Sequence, residues 1–373
     1  MKNKVLFLYN HDVVAYNFTF EIVKAFLSNG VEVVIVSPYG KKIDHFIDAG
    51  CKYIELDIER RNTNIFKDLK LIREYKKIFK KEKPDCIFGF TIKPNIYGAI
   101  AAKKYKIPFI PRISGLGSSF QNTKKLKFKL IKNLYKFANK SYRRVYFENK
   151  DNASVFLSNV CKLKDYKVIS GSGVNIDKFS YVEYPQKEKT KFLFLGRIMR
   201  EKGIEEYLTS AEYLKNKYGN TVSFSIAGFY EENYRDKILE YQEKGYIKYL
   251  GVLENSIDVI SESHCLILPS YHEGMSNVML EAQAIGRPVI GTDIPGVRET
   301  FLNKISGYTC TLRDSKDLIE KIEVLINMDF NSASNMGKLG RKHVESNFDR
   351  AKIVEEYLKI YEEIKDENTI YNK

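Results

Sequence analysis

The sequence predicts an α/β protein of two domains, each with a parallel sheet covered by helices on both faces. Three observations predict this fold class. Strand and helix signals alternate along residues 5–158, a segment rich in glycine and polar residues follows at 170–190, and the alternation then restarts. The chain has 373 residues, more than one typical domain. Its hydrophobic fraction of 44% is enough for two cores.

The first half predicts a Rossmann-like sheet, because short apolar runs alternate with stretches of helical periodicity. The first helix closes on Gly30, a residue suited to the position after a helix end. The predicted strands are 5–9, 32–37, 51–56, 85–90, 107–113 and 145–148. The predicted helices are 17–30, a long basic helix before residue 85, 124–141 and a helix near 151–158.

The second half predicts another parallel α/β domain, followed by helices. Residues from about 314 to 365 contain no clear strand and read as successive helices, the last of which is predicted to cross back onto the first domain. The predicted strands are 191–196, 222–228, 246–251, 264–270 and 287–292. The predicted helices include 203–219 and 277–286, the latter ended by Gly286.

The predicted domains are residues 1–178, joined by a C-terminal helix at about 353–373, and residues 179–352. Two such domains would face each other across a cleft. The loops at the carboxyl ends of their strands would point into that cleft, where ligands of open α/β sheets bind.

Composition excludes several classes. Five cysteines are scattered without a CxxC pair or a histidine at metal-ligand spacing, so we expect reduced, buried thiols in a reducing compartment. The apolar run at 5–9 is too short for a signal-peptide core. No run approaches the ~18 apolar residues of a membrane span. A soluble or peripheral protein is expected.

Charge is divided unevenly along the chain. Residues 1–180 contain 35 Lys and Arg against 16 Asp and Glu, whereas the remainder contains 26 against 31. The first half is therefore a strong cation and the second half mildly anionic.

The segment 122–145 has nine Lys or Arg and no acidic residue. One interpretation is a helix with a packed apolar face and a solvated charged face. A second is contact with anionic lipid, because each cation of a basic amphipathic helix gains roughly 1 kcal/mol near such a membrane. Nucleic acid is the third, although no module that reads bases is seen. The apolar residues at helical spacing are Leu126, Leu130, Ile131, Leu134, Phe137 and Ala138. The candidate membrane contacts are Lys124, Lys125, Lys127, Lys129, Lys132 and Lys136.

Two glutamates, Glu273 and Glu281, lie on either side of a Gly-Met-Ser-Asn turn in PSYHEGMSNVMLEAQAIGRP (269–288). The turn leaves a predicted strand and opens a helix with Ser276 at its N-cap. The N–H groups of the first helical turn and the close approach allowed by Gly274 predict an anion site, with phosphate as its natural guest. The carboxylates fit if each faces hydroxyl groups on one side of a diphosphate. Alternatively, Glu273 is a loop charge and Glu281 a solvated helix residue.

A second motif, FLGRIMREKGIEEYL (194–208), places Gly196, Arg197 and Lys202 between a strand and a helix that Gly203 opens. Two cations at a strand exit can hold a diphosphate and stabilise the negative charge that develops as it leaves. Solvated Arg and Lys side chains are the alternative interpretation.

Taken together, these motifs resemble the retaining glycosyltransferases of family 4, which have the GT-B fold. The resemblance covers essentially the whole chain, because SGSGVNIDKF (170–179) looks like the inter-domain segment of that family. Two N-terminal motifs look like bacterial members that extend lipid-linked glycans for capsules, O-antigens or protein glycosylation. The C-terminal motifs are GRIMREKG (196–203), EGMSNVMLE (273–281) and PVIGTDIPGVRE (288–299), and the N-terminal ones are FTIKPNIYGAIAA (90–102) and ISGLGSSF (113–120).

By position, the resemblance implies that Glu273 holds hydroxyls of the donor sugar and Glu281 holds the ribose. It implies that Arg197 and Lys202 bind the diphosphate. The resemblance also implies transfer with retention and without a metal, in which the leaving phosphate assists deprotonation of the acceptor on the same face. Paired carboxylates of the glycosidase kind are then the wrong model. The remaining predicted donor-site residues are Gly274, Met275, Ser276, Asn277 and Gly196.

One departure concerns the proton acceptor. Many relatives have a histidine after the fifth strand of the first domain, but here that loop reads RISGLGSSF and has none. His11, after the first strand, is the candidate by topology, although a lone histidine there is more often structural. The other candidates for the acceptor and reaction-site loops are Asn17, Ser114, Gly115 and Gly117.

Metal binding is not expected. Asp57-Ile58-Glu59 resembles the carboxylate pair of metal-dependent glycosyltransferases, but it lies outside a strand-end context. No metal or other cofactor is predicted.

The resulting expectation is a retaining GT-B hexosyltransferase. It would move a hexose or N-acetylhexosamine from a UDP-sugar to a polyprenyl-diphosphate-linked saccharide, at the inner leaflet of the cytoplasmic membrane. A transferase acting on a soluble acceptor is the alternative among enzymes. A non-catalytic basic protein that binds membrane or nucleic acid is the alternative from another class.

Overall fold

The computed structural model of the protein describes residues 3–58, 65–114, 126–186 and 188–371. The chain divides into two compact units. Unit 1 comprises Met1–Ser172 and Ala351–Lys373, and unit 2 comprises Gly173–Arg350. Each unit contains one parallel sheet with helices, so the predicted α/β class is confirmed.

Unit 1 has a seven-stranded sheet of order β3-β2-β1-β4-β5-β6-β7. Every residue of β1, β4 and β5 is buried, because helices cover both faces of a parallel sheet. The strands are β1 Lys4–Leu8, β2 Glu32–Ser37, β3 Lys52–Glu55, β4 Cys86–Phe90, β5 Phe109–Ile113, β6 Val145–Phe147 and β7 Tyr166–Val168.

Two cores lie on opposite faces of this sheet. Successive residues of β1 alternate between them: Leu6 packs with α3 to α6, whereas Phe7 packs with α1 and α13. The helices are α1 Asp12–Ser28, α2 Asp44–Asp48, α3 Ile65–Glu82, α4 Ala99–Lys103, α5 Leu126–Ala138, α6 Lys150–Asn159 and α13 Arg350–Tyr371.

The C-terminal helix α13 completes the second core of unit 1. Tyr357, Ile360 and Tyr361 are fully buried there. The Tyr361 ring lies 5.4 Å from that of Phe26 on α1, and the Tyr357 ring lies 5.2 Å from that of Phe88 on β4. Helix α13, which follows unit 2 in the sequence, is therefore part of the fold of the first unit.

Unit 2 has a six-stranded parallel sheet of order β10-β9-β8-β11-β12-β13. Its strands are β8 Thr190–Leu195, β9 Val222–Ala227, β10 Lys248–Tyr249, β11 Cys265–Leu268, β12 Val289–Thr292 and β13 Gly307–Cys310. Its helices are α7 Ile204–Tyr218, α8 Arg235–Glu243, α9 Ile257–Glu262, α10 Asn277–Ala284, α11 Ser315–Asn327 and α12 Phe330–Asn347.

Arg287 is buried in unit 2 with 0% of its surface exposed. Its guanidinium donates to the carbonyl oxygens of Val182, Glu183 and Ser261 at 2.9, 3.0 and 2.7 Å. Burial lowers the pKa of Arg287 to about 10, so it remains charged at neutral pH. The Arg287 side chain therefore links residues 182–183, which precede β8, to the end of α9.

Several elements differ from the sequence prediction. Helix α2 and the helical segment 94–103 were not predicted, and β10 is only two residues long against a predicted strand at 246–251. The first helix begins at Asp12 rather than 17, because His11 caps it. The edge strands β7 and β13 were not predicted, since both are short and neither is a continuous apolar run.

Candidate active site

The ends of three neighbouring strands in unit 2 bring the predicted donor-site residues together. The strand order reverses between β8 and β11, and such a switch point leaves a crevice at the carboxyl edge of a sheet. The loop after β8 carries Arg197 and Lys202, and the loop after β11 carries Glu273. The loop after β12 carries Gly296.

Lys202 and Glu273 form an ion pair in which the ammonium donates to the carboxylate. Their side chains are 17% and 12% exposed. Glu273 is therefore not a solvated loop charge, and a residue assigned to the diphosphate directly contacts one assigned to the donor sugar. The pair keeps a positive and a negative group side by side in a partly desolvated crevice, where electrostatic interactions are stronger than in water.

Backbone contacts between two loops hold this pair. Gly203 has φ +75°, and a Cβ there would lie 2.1 Å from the Pro269 carbonyl oxygen, so only glycine allows the two loops to approach. The Tyr271 N–H and the Ser270 hydroxyl donate to the Glu201 carbonyl oxygen at 2.8 and 3.2 Å. Lys202 and Glu273 each follow one of these anchored residues.

The third loop supports the Gly-Met-Ser turn from the other side. The Ser276 N–H donates to the Gly296 carbonyl oxygen at 2.8 Å. Gly296 has φ +81°, and a Cβ there would lie 2.5 Å from the Gly274 carbonyl oxygen. The motif PVIGTDIPGVRE contributes this brace, a role that the sequence did not reveal.

Ser276 occupies the N-cap position of α10, but its hydroxyl does not cap the helix. Ser276 is 3% exposed, and within the described part of the chain its buried Oγ has no hydrogen-bond partner. Asn277 is the first helical residue, and Met275 beside the cap is also buried. An unpaired hydroxyl at the start of a helix suits an anion that accepts hydrogen bonds.

Arg197 is not joined to the Lys202–Glu273 pair. Its guanidinium lies 3.7 Å from the Glu231 carboxylate, and its side chain is 41% exposed. The neighbouring Gly196 makes backbone contacts. Its N–H donates to the Ala227 carbonyl oxygen at 3.0 Å, and its own carbonyl oxygen packs against Gly228. Arg197 therefore borders the crevice on the β9 side.

Glu281 lies on α10, eight residues after Glu273, and its side chain is half-buried. Burial raises the pKa of Glu281 to about 7, although the charges of Arg350 and Lys178 act to lower it. This partial burial favours a residue at the edge of the site over a fully solvated helix residue.

Tyr271 and Glu206 were not predicted to belong to the site. The Tyr271 hydroxyl donates to Glu206 Oε1 at 2.7 Å, and both residues are buried. The Arg313 guanidinium lies 4.6 Å from the centre of the Tyr271 ring. This contact fixes the loop two residues before Glu273, and it joins residues too distant in sequence to be predicted from spacing.

The carboxyl edge of the unit 1 sheet carries the predicted acceptor-site residues. His11 Nδ1 accepts from the Val13 N–H at 3.2 Å and caps α1, and it also lies 3.0 Å from Asp12 Oδ1. A nitrogen that accepts the cap hydrogen bond is not available as a proton acceptor, which supports the structural interpretation of His11.

The other acceptor-site candidates are placed differently from expectation. Asn17 lies within α1, exposed, rather than in a loop, because the helix starts five residues earlier than predicted. Ser114 directly follows β5, and Gly115 and Gly117 lie outside the described residues.

Two unpredicted residues mark the switch point of unit 1, between β1 and β4. Thr91 has φ +70°, a conformation that β-branched residues rarely adopt. The buried Thr91 Oγ1 and Asn10 Oδ1 have no hydrogen-bond partner among the residues that the structure describes. Strain and unpaired polar atoms at a strand end are typical of functional sites.

Residues 126–138 of the basic segment form helix α5, with Phe128, Ile131, Tyr135 and Ala138 buried. Leu130 and Phe137, counted above among the apolar residues, are 48% and 47% exposed. Lys129 and Lys136 are exposed and Lys132 is half-buried. Lys124, Lys125 and the side chain of Lys127 lie outside the description.

Within residues 3–58, 65–114, 126–186 and 188–371, no helix is long and apolar enough to cross a membrane. These residues also contain no group of three or more His, Cys, Asp or Glu suited to a metal ion, and Glu59 of the Asp57-Ile58-Glu59 motif falls outside them.

Comparison with known families gives two matches. Residues 176–343 match the model described as glycosyl transferases group 1, and residues 4–149 match the model described as glycosyl transferase 4-like. The first match contains Lys202, Glu273 and Glu281.

Two curated relatives align over most of the chain. A Campylobacter jejuni protein named N,N'-diacetylbacillosaminyl-diphospho-undecaprenol alpha-1,3-N-acetylgalactosaminyltransferase is 30% identical, over 97% of this chain and 99% of its own. An Escherichia coli protein named UDP-Gal:alpha-D-GlcNAc-diphosphoundecaprenol alpha-1,3-galactosyltransferase is 26% identical, over 81% of each.

Among solved structures, Anabaena HepE in complex with UDP and glucose superposes with a TM-score of 0.80. It is 16% identical, and the match covers 96% of this chain and 99% of that one. At this identity the likeness concerns the fold.

Proposed function

This chain belongs to the group 1 glycosyl transferases, and on that premise we propose that it transfers a hexose or N-acetylhexosamine from a UDP-sugar to a polyprenyl-diphosphate-linked saccharide, with retention. The observation that carries the proposal is the Lys202–Glu273 pair at the switch point of the unit 2 sheet, beside the start of α10.

Unit 2 supplies three kinds of group that a nucleotide sugar needs. The α10 N-terminus and the Ser276 hydroxyl suit the diphosphate, whose developing charge Lys202 would stabilise as the sugar leaves. Glu273 would accept hydrogen bonds from hydroxyls of the transferred sugar. Glu281, farther along α10, would accept hydrogen bonds from the ribose.

Unit 1 would bind the acceptor at its own switch point. Asn10 and Thr91 there present buried polar atoms that lack partners within the described residues, and a saccharide hydroxyl could bond with them. The relatives from C. jejuni and E. coli both have diphosphoundecaprenol in their names, which supports a lipid-linked acceptor.

The route of the proton follows from what His11 does. Because His11 Nδ1 already caps α1, we assign no side chain as the base. A phosphate oxygen of the leaving diphosphate would accept the acceptor proton, on the same face from which the sugar departs, and Lys202 would hold that phosphate in place.

The lipid-linked acceptor would bring the protein to the inner leaflet of the cytoplasmic membrane. Lys129, Lys132 and Lys136 of α5 would contact anionic lipid there. Unit 1 thus has the membrane-facing role and unit 2 the donor-binding role, which accounts for the charge asymmetry of the sequence.

The decisive measurement is a screen of UDP-sugars against short polyprenyl-diphosphate saccharides, with products identified by mass spectrometry. We expect one UDP-sugar to be transferred, and NMR of the product to show the anomeric configuration of the donor. Transfer only to prenyl-free saccharides would contradict the acceptor class, and an inverted product would contradict retention.

Donor binding should depend on pH through Glu281. Its ionised form accepts ribose hydrogen bonds, and its pKa in the empty protein is about 7. We expect the affinity for the UDP-sugar to fall by up to about tenfold per pH unit below pH 7 and to level off above it. Calorimetric titration between pH 5.5 and 8.5 checks this. The diphosphate diester of the donor does not titrate in that window.

Glu281→Gln should remove this pH dependence and weaken donor binding at pH 8. The pKa of Glu281 in the fold lies above the ordinary 4.5, so its ionisation removes stability as pH rises from about 4.5 to 7. The variant should therefore melt at a higher temperature than the parent at pH 8. A lower melting temperature would show that the carboxylate stabilises the empty fold.

A further inference from the structure

Helix α3 begins with apolar side chains that face solvent. Phe66 is 83% exposed, Ile65 is 71% exposed and Leu69 is 47% exposed. Phe66 and Ile65 are the most exposed large hydrophobic residues of the described part of the chain. Neighbouring exposed apolar side chains of this size indicate a contact surface.

The rest of the outward face of α3 is cationic. The opposite face packs Leu71, Tyr75 and Phe79 into the core. At 3.6 residues per turn, the face that carries Phe66 continues through lysines and an arginine. These exposed cations are Lys70, Arg73, Lys77 and Lys80.

The acidic side chains of α3 leave this face positive. Asp68 is turned inward and binds Lys93 at 3.0 Å and the Tyr97 hydroxyl at 2.7 Å. Glu82 is buried between Lys4 and Lys52. Glu74 alone lies beside the outward face, where it pairs with Lys77 at 2.8 Å.

Helix α5 also combines exposed apolar side chains with exposed cations. Leu130 and Phe137 are about half exposed, two turns apart on its outward side, next to the exposed Lys129 and Lys136. The Phe137 ring is flanked by two cations, with Lys103 Nζ 4.9 Å and Lys140 Nζ 5.8 Å from its centre.

Both helices belong to one layer of unit 1. Each packs against the helical segment 94–103, on the same face of the sheet. Each also follows a strand of a parallel sheet, so their first turns lie at the carboxyl edge, where Asn10 and Thr91 are. The exposed side chains near the start of each helix, Phe66 of α3 and Lys129 and Leu130 of α5, therefore border the edge that we assign to the acceptor.

We infer that the outward faces of α3 and α5 together form a docking surface for an anionic membrane, with the apolar side chains inserted at the boundary between headgroups and acyl chains. The cations would bind lipid headgroups around them. The inference rests on the lipid-linked acceptor proposed above. A second copy of the chain fits poorly, because it would bring an equally cationic surface to this one.

The sequence has no tryptophan, which gives a direct test. Phe66→Trp creates a single fluorophore at the proposed insertion point, and Tyr213→Trp on α7, where Tyr213 is 50% exposed, is the matched control in unit 2. With vesicles containing phosphatidylglycerol, the first variant should show blue-shifted emission that acyl-brominated lipid quenches. The control should show neither effect.

Co-sedimentation with vesicles distinguishes insertion of the apolar side chains from electrostatic binding. Phe66→Ser with Leu69→Ser should reduce the vesicle-bound fraction about tenfold at 0.1 M salt. The matched pair Tyr213→Ser with Leu239→Ser, at residues 50% and 40% exposed, should not reduce it. Part of the binding should survive 0.5 M salt, since insertion is not screened.

Three outcomes would overturn the inference. The protein would not co-sediment with anionic vesicles, or Phe66→Trp would bind them with unchanged emission. The third outcome is an equal loss of the vesicle-bound fraction in both serine pairs. Self-association that light scattering detects and the α3 pair removes would assign the surface to a second copy. None of these readouts uses catalysis. Transfer to a detergent-solubilised acceptor, measured on the same variants, tests the proposed function separately.

Discussion

Replacing Glu273 with glutamine should lower the transfer rate about a thousandfold, while the affinity for free UDP changes little. Glutamine keeps the size of the side chain but removes the negative charge that accepts sugar hydroxyls and balances Lys202. Single-turnover transfer by mass spectrometry and calorimetric titration with UDP give the two quantities. UDP lacks the sugar that Glu273 is proposed to hold, so the variant should keep its affinity for UDP while it loses sugar transfer.

The partner residue gives an internal check. Lys202→Met should also lose transfer, and the double variant should be far less impaired than the product of the two single losses, because the residues act as one unit. Glu240→Gln is the control, since it removes one carboxylate from an exposed ion pair with Lys244. Equal losses of UDP affinity and transfer in Glu273→Gln would mean that Glu273 holds the nucleotide or the loop rather than the sugar.

Arg287→Ala should destabilise unit 2 by about 4 kcal/mol, because it leaves the carbonyls of Val182, Glu183 and Ser261 buried without their donor and opens a cavity. For a unit of this size, such a loss corresponds to a fall of about 10 °C in melting temperature. Scanning calorimetry should show the shift in one transition and leave the transition of unit 1 in place. Lysine should rescue little, since it cannot span the same carbonyls.

Arg298→Ala provides the matched control. Arg298 is on the surface of the same unit, 45% exposed, and pairs with Asp293 at 3.0 Å. Exposed pairs contribute little to stability, so its melting temperature should stay within about 2 °C of the parent. A comparable shift in both arginine variants would show that the buried hydrogen bonds of Arg287 are not what holds the unit together.

The sequence predicts the architecture well because buried strands of parallel sheets read as continuous apolar runs. The runs of β1, β2, β4 and β8 are of this kind, and their predicted and observed bounds differ by no more than one residue. Edge strands escape the same criterion. β7 is only three residues long and two of them are exposed, so its pairing with β6 depends on a neighbour that the local sequence does not show.

The site was predicted in its residue types but not in its contacts. Spacing cannot show that Lys202 touches Glu273, because that contact depends on Gly203 fitting against Pro269. Nor can it show the environment of Glu281, which is half-buried and lies near Arg350, a residue far away in sequence. Helical periodicity likewise misplaced Leu130 and Phe137 of α5, whose apolar character suggests a packed face although both face outward.

The position of α13 has a consequence for biosynthesis. Most of unit 1 precedes unit 2 in the chain and is synthesised before it. The side chains that close one face of the unit 1 sheet, Tyr357, Ile360 and Tyr361 among them, are nevertheless synthesised after all of unit 2. Unit 1 is therefore completed after unit 2, and Phe7 and Phe88 stay uncovered on one face of its sheet while unit 2 folds. A nascent chain stalled before residue 351 should bind chaperones through that face, and no single cut can divide the protein into two complete halves.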